Sequence, residues 1–156
     1  MKNILTSIGS GIQSLTTYNF GIVQNKVFRQ LKQRTTKILS ESDITTNEWA
    51  VLGFLYDNVS GIRPGDIAVT IGVERPLITL LCQSLENKQY VTLTPDASDS
   101  RAKKICLTDA GRHYVEDMEP KIRAEMRTYV KGISLSQLYT YYTVMKKMSK
   151  NLDEYE

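Results

Sequence analysis

The stretch of sequence that decides the fold lies at residues 95–112, which read PDASDSRAKKICLTDAGR. It opens on PDASDS, a cluster of residues that favour tight turns. The segments at residues 90–94 and 103–107, on either side of that cluster, predict the two strands of a β-hairpin with a polar tip. Thr108 then predicts the capped start of a helix, with Asp109 in its first turn.

Two short helical patterns come immediately before this hairpin. The first opens at Pro64, where a helix tolerates a missing amide, and ends at Gly72, which can turn the chain with a positive φ. The second opens at Arg75 and Pro76, and its predicted buried side consists of Leu77, Ile78, Leu81 and Leu85. Two helices joined by a glycine turn and followed by a hairpin have the order of a winged helix-turn-helix.

Longer helical patterns flank this central part. The first carries an apolar stripe at Phe20, Val23, Val27, Leu31 and Ile38. The last carries one at Leu138, Tyr141, Tyr142, Met145, Met148 and Leu152. Capping boxes are predicted at Thr45 with Glu48 and at Ser134 with Gln137. The two stripes need a partner, and a second copy of the chain is the simplest one.

We therefore predict a mainly α fold with a small β-hairpin wing, a winged helix-turn-helix with N- and C-terminal dimerisation helices. The predicted organisation is an N-terminal arm and dimerisation helix at residues 1–40, a winged helix-turn-helix domain at 41–110, and C-terminal dimerisation helices at 111–156. Residues 1–14 are rich in glycine and serine, and we expect them to be loosely ordered.

The charge is small in total and uneven along the chain. The formal net charge of the 156 residues is only +3. Residues 1–40 hold six basic and no acidic residues, residues 41–100 hold three basic and nine acidic, and residues 101–131 hold eight basic and five acidic. Basic residues beside the predicted wing favour a nucleic-acid partner, although solvated helix faces would give the same counts.

Several classes of protein are not expected. Cys82 and Cys106 form no CxxC pair and His113 is the only histidine, so we expect no disulfide framework, no metal site and no cofactor. The first residues lack a secretory apolar region, and no apolar run approaches the roughly 18 residues of a membrane span, which predicts a cytoplasmic protein with no membrane partner. Glycine-rich phosphate loops and the common hydrolase motifs are missing, so an enzyme is not expected.

On these residues the sequence resembles the MarR family of bacterial and archaeal transcriptional regulators, over roughly residues 15–153. The family's wing signature is Asp-x-Arg, a strand and then Leu-Thr-x-x-Gly, and it falls on Asp99, Arg101, Leu107, Thr108 and Gly111. Weaker matches lie at residues 46–52 and 67–73, and at Thr79 in the second helix of the helix-turn-helix. The resemblance implies a dimer formed by the terminal helices, with recognition helices in the DNA major groove and wings in the flanking minor groove.

Three positions depart from the family pattern. Leu80 stands where the family often has Arg, and Ser100 stands where it often has the first of two wing-tip Arg residues. Gln89 replaces a glycine before the first wing strand. Fewer cationic contacts predict weaker DNA binding, or reliance on other basic residues. Some relatives sense peroxides through a Cys near the first helix, and that mechanism does not carry over because no Cys precedes Cys82.

Seven residues are candidate DNA contacts: Arg75, Pro76, Thr79 and Gln83 in the recognition helix, and Arg101, Lys103 and Lys104 in the wing. A helix N-terminus favours phosphate, and Arg75 at that end can pair with guanine or phosphate. A guanidinium such as that of Arg101 suits a narrow minor groove, and Asp99 is expected to hold it in register. Each of these residues also fits an ordinary exposed side chain, and an Asp99–Arg101 surface ion pair is worth roughly 0–1 kcal/mol.

Four aromatic residues are candidates for an effector pocket: Tyr18, Trp49, Tyr56 and Tyr114. The resemblance implies a small aromatic effector there, and ordinary core packing is the alternative. His113 is either a pH-sensitive or ligand-contacting group or a solvated helix histidine. Cys82 and Cys106 are either a redox switch or inert small hydrophobes.

The sequence thus predicts a homodimeric transcriptional regulator that binds an inverted-repeat operator in double-stranded DNA. It is expected to be a repressor that a small-molecule effector releases. The alternative is a protein-interaction module that reuses the winged fold without binding DNA, which Leu80, Ser100 and the acidic middle segment favour.

Overall fold

The computed structural model describes residues 16–96 and 98–154. Along them lie six α-helices and one two-stranded antiparallel sheet. Their bounds are α1 (Thr17–Leu39), α2 (Thr46–Tyr56), α3 (Pro64–Ile71), α4 (Arg75–Asn87), β1 (Val91–Asp96), β2 (Asp99–Leu107), α5 (Asp109–Tyr129) and α6 (Leu135–Asp153). The predicted mainly α winged helix-turn-helix is confirmed. The prediction for residues 1–14 falls outside the described residues.

The chain divides into two compact units, with the boundary between Ile122 and Arg123. The first unit has one apolar core, to which every element from the end of α1 to the first half of α5 contributes. Its buried members are Leu39, Ile44, Val51, Leu52, Leu55, Ile67, Ala68, Ile78, Leu81, Cys82, Leu85, Val91, Ile105, Val115, Met118 and Ile122. The helix-turn-helix and the wing therefore share one packed support.

Both predicted capping boxes are present. The Thr45 hydroxyl accepts the amide of Glu48 at 3.2 Å, and a Glu48 carboxylate oxygen accepts the amide of Thr45 at 2.7 Å. Ser134 and Gln137 make the same pair of bonds at the start of α6. Such reciprocal bonds satisfy amides that a helix start leaves without intrahelical partners, which fixes where α2 and α6 begin.

The turn between α3 and α4 forms as the sequence predicts. Pro64 is the first residue of α3, and Gly72 ends that helix in the left-handed conformation with a φ of 70°. The residue after Gly72 is bonded back to α3: the amide of Val73 donates a hydrogen bond to the carbonyl oxygen of Ala68 at 3.0 Å. This turn sets the direction in which α4 leaves α3.

The wing is longer than the sequence predicts. β1 continues through Asp96 and β2 begins at Asp99, although residues 95–100 were expected to form the turn. Pro95 lies opposite Lys103 in the ladder, in an edge position where a missing amide is tolerated. The strand continues to Asp96, whose side chain is buried and accepts a hydrogen bond from Arg63, 33 residues earlier. Turn propensities describe neighbouring residues and do not include such a contact.

A third backbone segment joins the wing. Ile62, just before α3, exchanges two backbone hydrogen bonds with Ile105 of β2, at 3.0 Å and 2.9 Å. Gly61 beside it has a φ of 72° and lies against Cys106, where a Cβ would have no room. These hydrogen bonds attach β2 of the wing to the segment that comes just before α3.

In the second unit, a turn at Gly132 separates the end of α5 from α6. No residue of α6 is buried in this single chain. Its large exposed side chains include Leu135, Tyr139, Tyr141, Tyr142, Val144 and Leu152. Among the helices described here, none is long and apolar enough to cross a membrane.

Candidate DNA-binding surface

The second helix of the helix-turn-helix, α4, has one buried and one exposed face. Its buried residues are Ile78, Leu81, Cys82 and Leu85. The exposed residues include all four predicted DNA contacts of this helix, namely Arg75, Pro76, Thr79 and Gln83. The structure therefore brings these four residues together on the exposed side of α4.

The N-terminus of α4 is suited to an anion. Its N-cap residue, Glu74, makes no side-chain capping hydrogen bond, and Arg75 and Pro76 form the first turn. The positive dipole end of such a turn favours phosphate, and Pro76 contributes no amide to it. The Thr79 hydroxyl donates to the carbonyl oxygen of Arg75 at 3.1 Å, so in this arrangement its oxygen offers an acceptor to a ligand.

The tip of the wing is organised by Asp99. One Asp99 carboxylate oxygen accepts the backbone amide of Arg101 at 3.0 Å. Asp99 thus holds the backbone at Arg101, whereas the sequence predicts that it holds the guanidinium. Arg101 and Lys103 are exposed. Lys104 is half-buried, with its ammonium 3.8 Å from a carboxylate oxygen of Asp96, so its charge is partly neutralised within the chain.

Asp96 is an anchor for the wing that sequence reasoning missed. Its carboxylate accepts the amide and hydroxyl of Ser98, at 3.0 Å and 2.8 Å, and the Nε–H of Arg63 at 2.7 Å. Bonds from the Ser98 amide, Arg63 and the Ser98 hydroxyl hold the pKa of Asp96 well below its usual value. Since Arg63 is the N-cap residue of α3, this cluster fixes the wing tip relative to the helix-turn-helix. In the sequence, the Asp-x-Ser spacing of Asp96 and Ser98 was the signal from which part of this cluster could have been predicted.

A buried carboxylate also positions α4 from behind. Glu48 of α2 is 2% exposed. One of its oxygens accepts the Ser84 hydroxyl at 2.7 Å and the Lys88 ammonium at 3.0 Å. Burial by itself raises the pKa of Glu48, but hydrogen bonds from Ser84, Thr45 and Lys88 outweigh burial and leave the pKa below its ordinary value. The sequence identified Glu48 as a capping residue and gave no sign of its bonds to α4.

The predicted effector residues do not form one group. Tyr114 lies edge-on to Trp49 with ring centroids 6.4 Å apart, and it stacks on Tyr90 at 4.8 Å. Its hydroxyl shares a 2.6 Å hydrogen bond with Ser42. Burial raises the pKa of Tyr114. The structure therefore joins two of the four predicted residues with Tyr90 and Ser42, which sequence reasoning did not include.

The other two predicted effector residues lie elsewhere. The Tyr56 hydroxyl donates to Glu116 at 3.2 Å, and the Arg112 guanidinium sits 5.1 Å above its ring. Tyr18 is near the start of α1 and is 66% exposed. Tyr56 therefore has partners other than those of the Trp49–Tyr114 pair.

The remaining sequence candidates have ordinary surroundings. His113 is exposed on α5, with Nδ1 2.7 Å from the carbonyl oxygen of Asp109. Cys82 is buried, and burial raises the pKa of its thiol to about 11, which disfavours the reactive thiolate. The Cys106 sulfur lies 3.4 Å from the Thr94 hydroxyl.

Comparison with known proteins places this surface in a family. A family model described as the MarR family matches residues 42–102. The transcriptional activatory protein BadR of Rhodopseudomonas palustris is 31% identical over 130 residues, which cover 80% of this chain and 74% of BadR. The chain belongs to the MarR family of transcriptional regulators. The transcriptional regulation predicted from the sequence is therefore confirmed.

Solved structures of MarR-type regulators have the same fold. The complex of Staphylococcus aureus MepR with DNA matches with a TM-score of 0.76 and 26% identity, over 90% of this chain and 99% of MepR. CouR from Rhodococcus jostii RHA1, bound to p-coumaroyl-CoA, matches with a TM-score of 0.79 and 23% identity, over 83% of this chain and 91% of CouR. The CouR likeness shows the fold alone.

Proposed function

We propose that this MarR-family regulator binds an inverted repeat in duplex DNA as a homodimer and represses transcription until an aromatic effector releases it. The observation that carries the proposal is that the predicted contacts of α4 and the wing cations Arg101 and Lys103 are all exposed. The MepR–DNA complex, 26% identical, supports DNA as the partner. We further propose a cytoplasmic protein without enzymatic activity.

Dimerisation is supported by the apolar residues that the single chain leaves exposed. On α1 these include Phe20, Ile22, Val23, Val27 and Phe28, which are between 41% and 63% exposed. On α6 a similar set is exposed. Large apolar faces on two long helices favour burial in an interface between copies, and a two-fold dimer presents two α4 helices to two half-sites about 10 base pairs apart.

The proposed contacts divide by groove. In the recognition helix, Arg75, Pro76, Thr79 and Gln83 lie in the major groove, and Arg101 and Lys103 lie in the minor groove. Asp99 supports the wing backbone. Lys104, with its ammonium near Asp96, is proposed as a weaker contact that adds positive potential. We retain the proposed domain bounds 1–40, 41–110 and 111–156.

The contribution of the wing is tested with Arg101→Ala. Because minor-groove cations respond mainly to charge and groove width, binding to specific and random duplexes should weaken together. The slope of log K against log salt should fall by about one unit for each wing, or about two for the dimer. The measurement is fluorescence anisotropy at several salt concentrations, with Lys131→Ala, an exposed cation outside α4 and the wing, as the control.

Two further readouts accompany this test. Circular dichroism should be unchanged, and sedimentation should give about twice the 17.7 kDa chain mass for the parent and both variants. A clean monomer contradicts the dimer. If folded, dimeric Arg101→Ala binds every duplex as tightly as the parent does, the wing is not a DNA contact. The interaction module without DNA, which the exposed Leu80 favours, then gains support.

The effector site is proposed at the Trp49–Tyr114 pair, with Tyr90 and Ser42 as additional members. Tyr18 and Tyr56 are proposed to contribute only through rearrangement or through the partner protomer. Trp49 is the chain's one tryptophan, so its fluorescence reports on this site directly. Titration with simple phenolic acids should quench that fluorescence and release DNA. Tyr114→Leu should reduce both effects together, and quenching without DNA release contradicts the assignment.

A further inference from the structure

The exposed face of α4 contains a line of four residues without a charge. Pro76, Leu80, Gln83 and Asn87 follow one another at steps of four, three and four residues, so they share one side of a helix with 3.6 residues per turn. All four are exposed. The opposite side holds the buried residues that anchor α4, so this line faces away from the core.

Leu80 is the residue on this line that the proposed function leaves unexplained. It is 62% exposed, although a leucine gains free energy from burial. A leucine has no donor or acceptor with which to bind a phosphate or a base edge. The apolar group that a base pair presents in the major groove is the C5 methyl of thymine.

Two other residues on this line are suited to the adenine of an A·T pair. Gln83 and Asn87 carry side-chain amides, which pair with adenine N6 and N7 in the major groove. Guanine is read most often by Arg or Lys, and the line contains neither. Arg75, the one cation of α4, lies at the N-terminus, before the line begins. The composition of this surface therefore favours A·T over G·C pairs.

We propose that Leu80 is a specificity-determining residue, which packs on the C5 methyl of a thymine in each operator half-site. The inference rests on the proposed DNA binding and deepens it by naming the base pair that the centre of α4 selects. An exposed leucine also suits a protein surface. The cation at the start of α4 and the cations on the wing favour a polyanion, which makes duplex DNA the occupant for which we argue.

Replacement of thymine by deoxyuridine tests this contact, since it removes the methyl group and leaves the pairing edge unchanged. An operator is first selected from a random duplex library with the full chain. Thymines are then replaced one position at a time, symmetrically in both half-sites. At one position the parent should bind about fourfold more weakly per methyl, or about 15-fold for two half-sites, because burial of one such group is worth about 0.8 kcal/mol.

The variant Leu80→Ala identifies the residue responsible. It should bind the thymine operator about 15-fold more weakly than the parent and should no longer respond to uracil at that position. Val59→Ala is the matched control, because Val59 is 71% exposed and lies outside the recognition helix, between α2 and α3. It should keep the sensitivity of the parent. Circular dichroism of both variants should match that of the parent, as neither side chain is buried.

The outcomes separate this inference from the proposed function. A parent that binds its operator but tolerates uracil everywhere overturns the role of Leu80 and leaves DNA binding intact. The same conclusion follows if Leu80→Ala keeps the uracil response of the parent. If the parent binds no duplex at low salt, the proposed function fails and the inference fails with it. A protein partner then becomes the occupant of this face.

Discussion

Gly111→Ala should lower the stability of this protein markedly. A Cβ at this position would overlap the carbonyl group of Tyr90 and come within 3.0 Å of the Leu107 side chain. The Tyr90 carbonyl cannot simply retreat, because it accepts the amide of Thr108 at 3.0 Å. Overpacking of this kind and the loss of one hydrogen bond together predict a loss of about 3 kcal/mol in unfolding free energy.

The measurement is thermal unfolding by circular dichroism, where 3 kcal/mol corresponds to a fall in Tm of about 6–12 °C. Gly53→Ala is the matched control. Gly53 is inside α2, and a Cβ there would meet nothing within 4 Å. This control should be stabilised by about 0.5–1 kcal/mol through helix propensity. A Gly111→Ala melting temperature within about 2 °C of the parent would contradict the close approach.

The same contacts explain why the wing signature ends in Leu-Thr-x-x-Gly. The Thr108 hydroxyl donates to the carbonyl oxygen of Gln89 at 2.7 Å and accepts the amide of Gly111 at 3.0 Å. It therefore caps α5 and ties that helix to the start of β1. Gly111, three residues later, has no Cβ, so the start of α5 can lie directly against the backbone at Tyr90, just before β1. This end of the signature serves the junction of the wing with α5, whereas its Asp-x-Arg end lies at the wing tip.

The departure at Gln89 now has a physical meaning. Gln89 has a φ of 63°, in the left-handed region that favours glycine. A glycine, as in the family pattern described above, would suit this turn, and glutamine adopts the conformation at some cost in strain. The family pattern marks Gln89 as a departure, and the backbone angle shows what that departure changes.

Local signals predicted the parts of the fold that local contacts determine. The caps at Thr45, Ser134 and Thr108 and the turn at Gly72 all involve residues within a few positions of each other. They were read correctly from the sequence. The full length of the wing was not, because Asp96 is held by Arg63, which lies 33 residues earlier.

The candidate site divides in the same way. Helical spacing was enough to place Thr79 and Gln83 on the exposed side of α4. The aromatic group was predicted only in part, since spacing along the chain does not reveal that Tyr90 stacks on Tyr114. Contacts that join residues far apart in sequence need the fold before they can be assigned.

Glu48→Ala should have the second large effect on stability, because Glu48 joins the start of α2 to the end of α4. The substitution removes the acceptor of the Thr45 amide and leaves Ser84 and Lys88 without their buried partner. Removal of one member of a buried ion pair costs about 3–5 kcal/mol. The Lys88 side chain is 24% exposed and can reach water, so we expect about 2–3 kcal/mol. Denaturant unfolding measures the loss, and DNA affinity should fall as α4 loses its support.

Glu48→Gln separates the charge from the shape of this side chain. The hydrogen bonds that lower the pKa of Glu48 stabilise its ionised form in the folded state. A lowered folded pKa contributes stability above the unfolded pKa, near 4.5, and that contribution is lost as the pH falls through the folded value. The parent should therefore exceed Glu48→Gln in stability at pH 7, and the difference should shrink below about pH 4.5. Glu86→Gln, an exposed change on α4, should stay within about 0.5 kcal/mol of the parent at pH 7. A gap between parent and Glu48→Gln that is constant from pH 7 to pH 3 would mean that the ionised carboxylate does not hold α2 and α4 together.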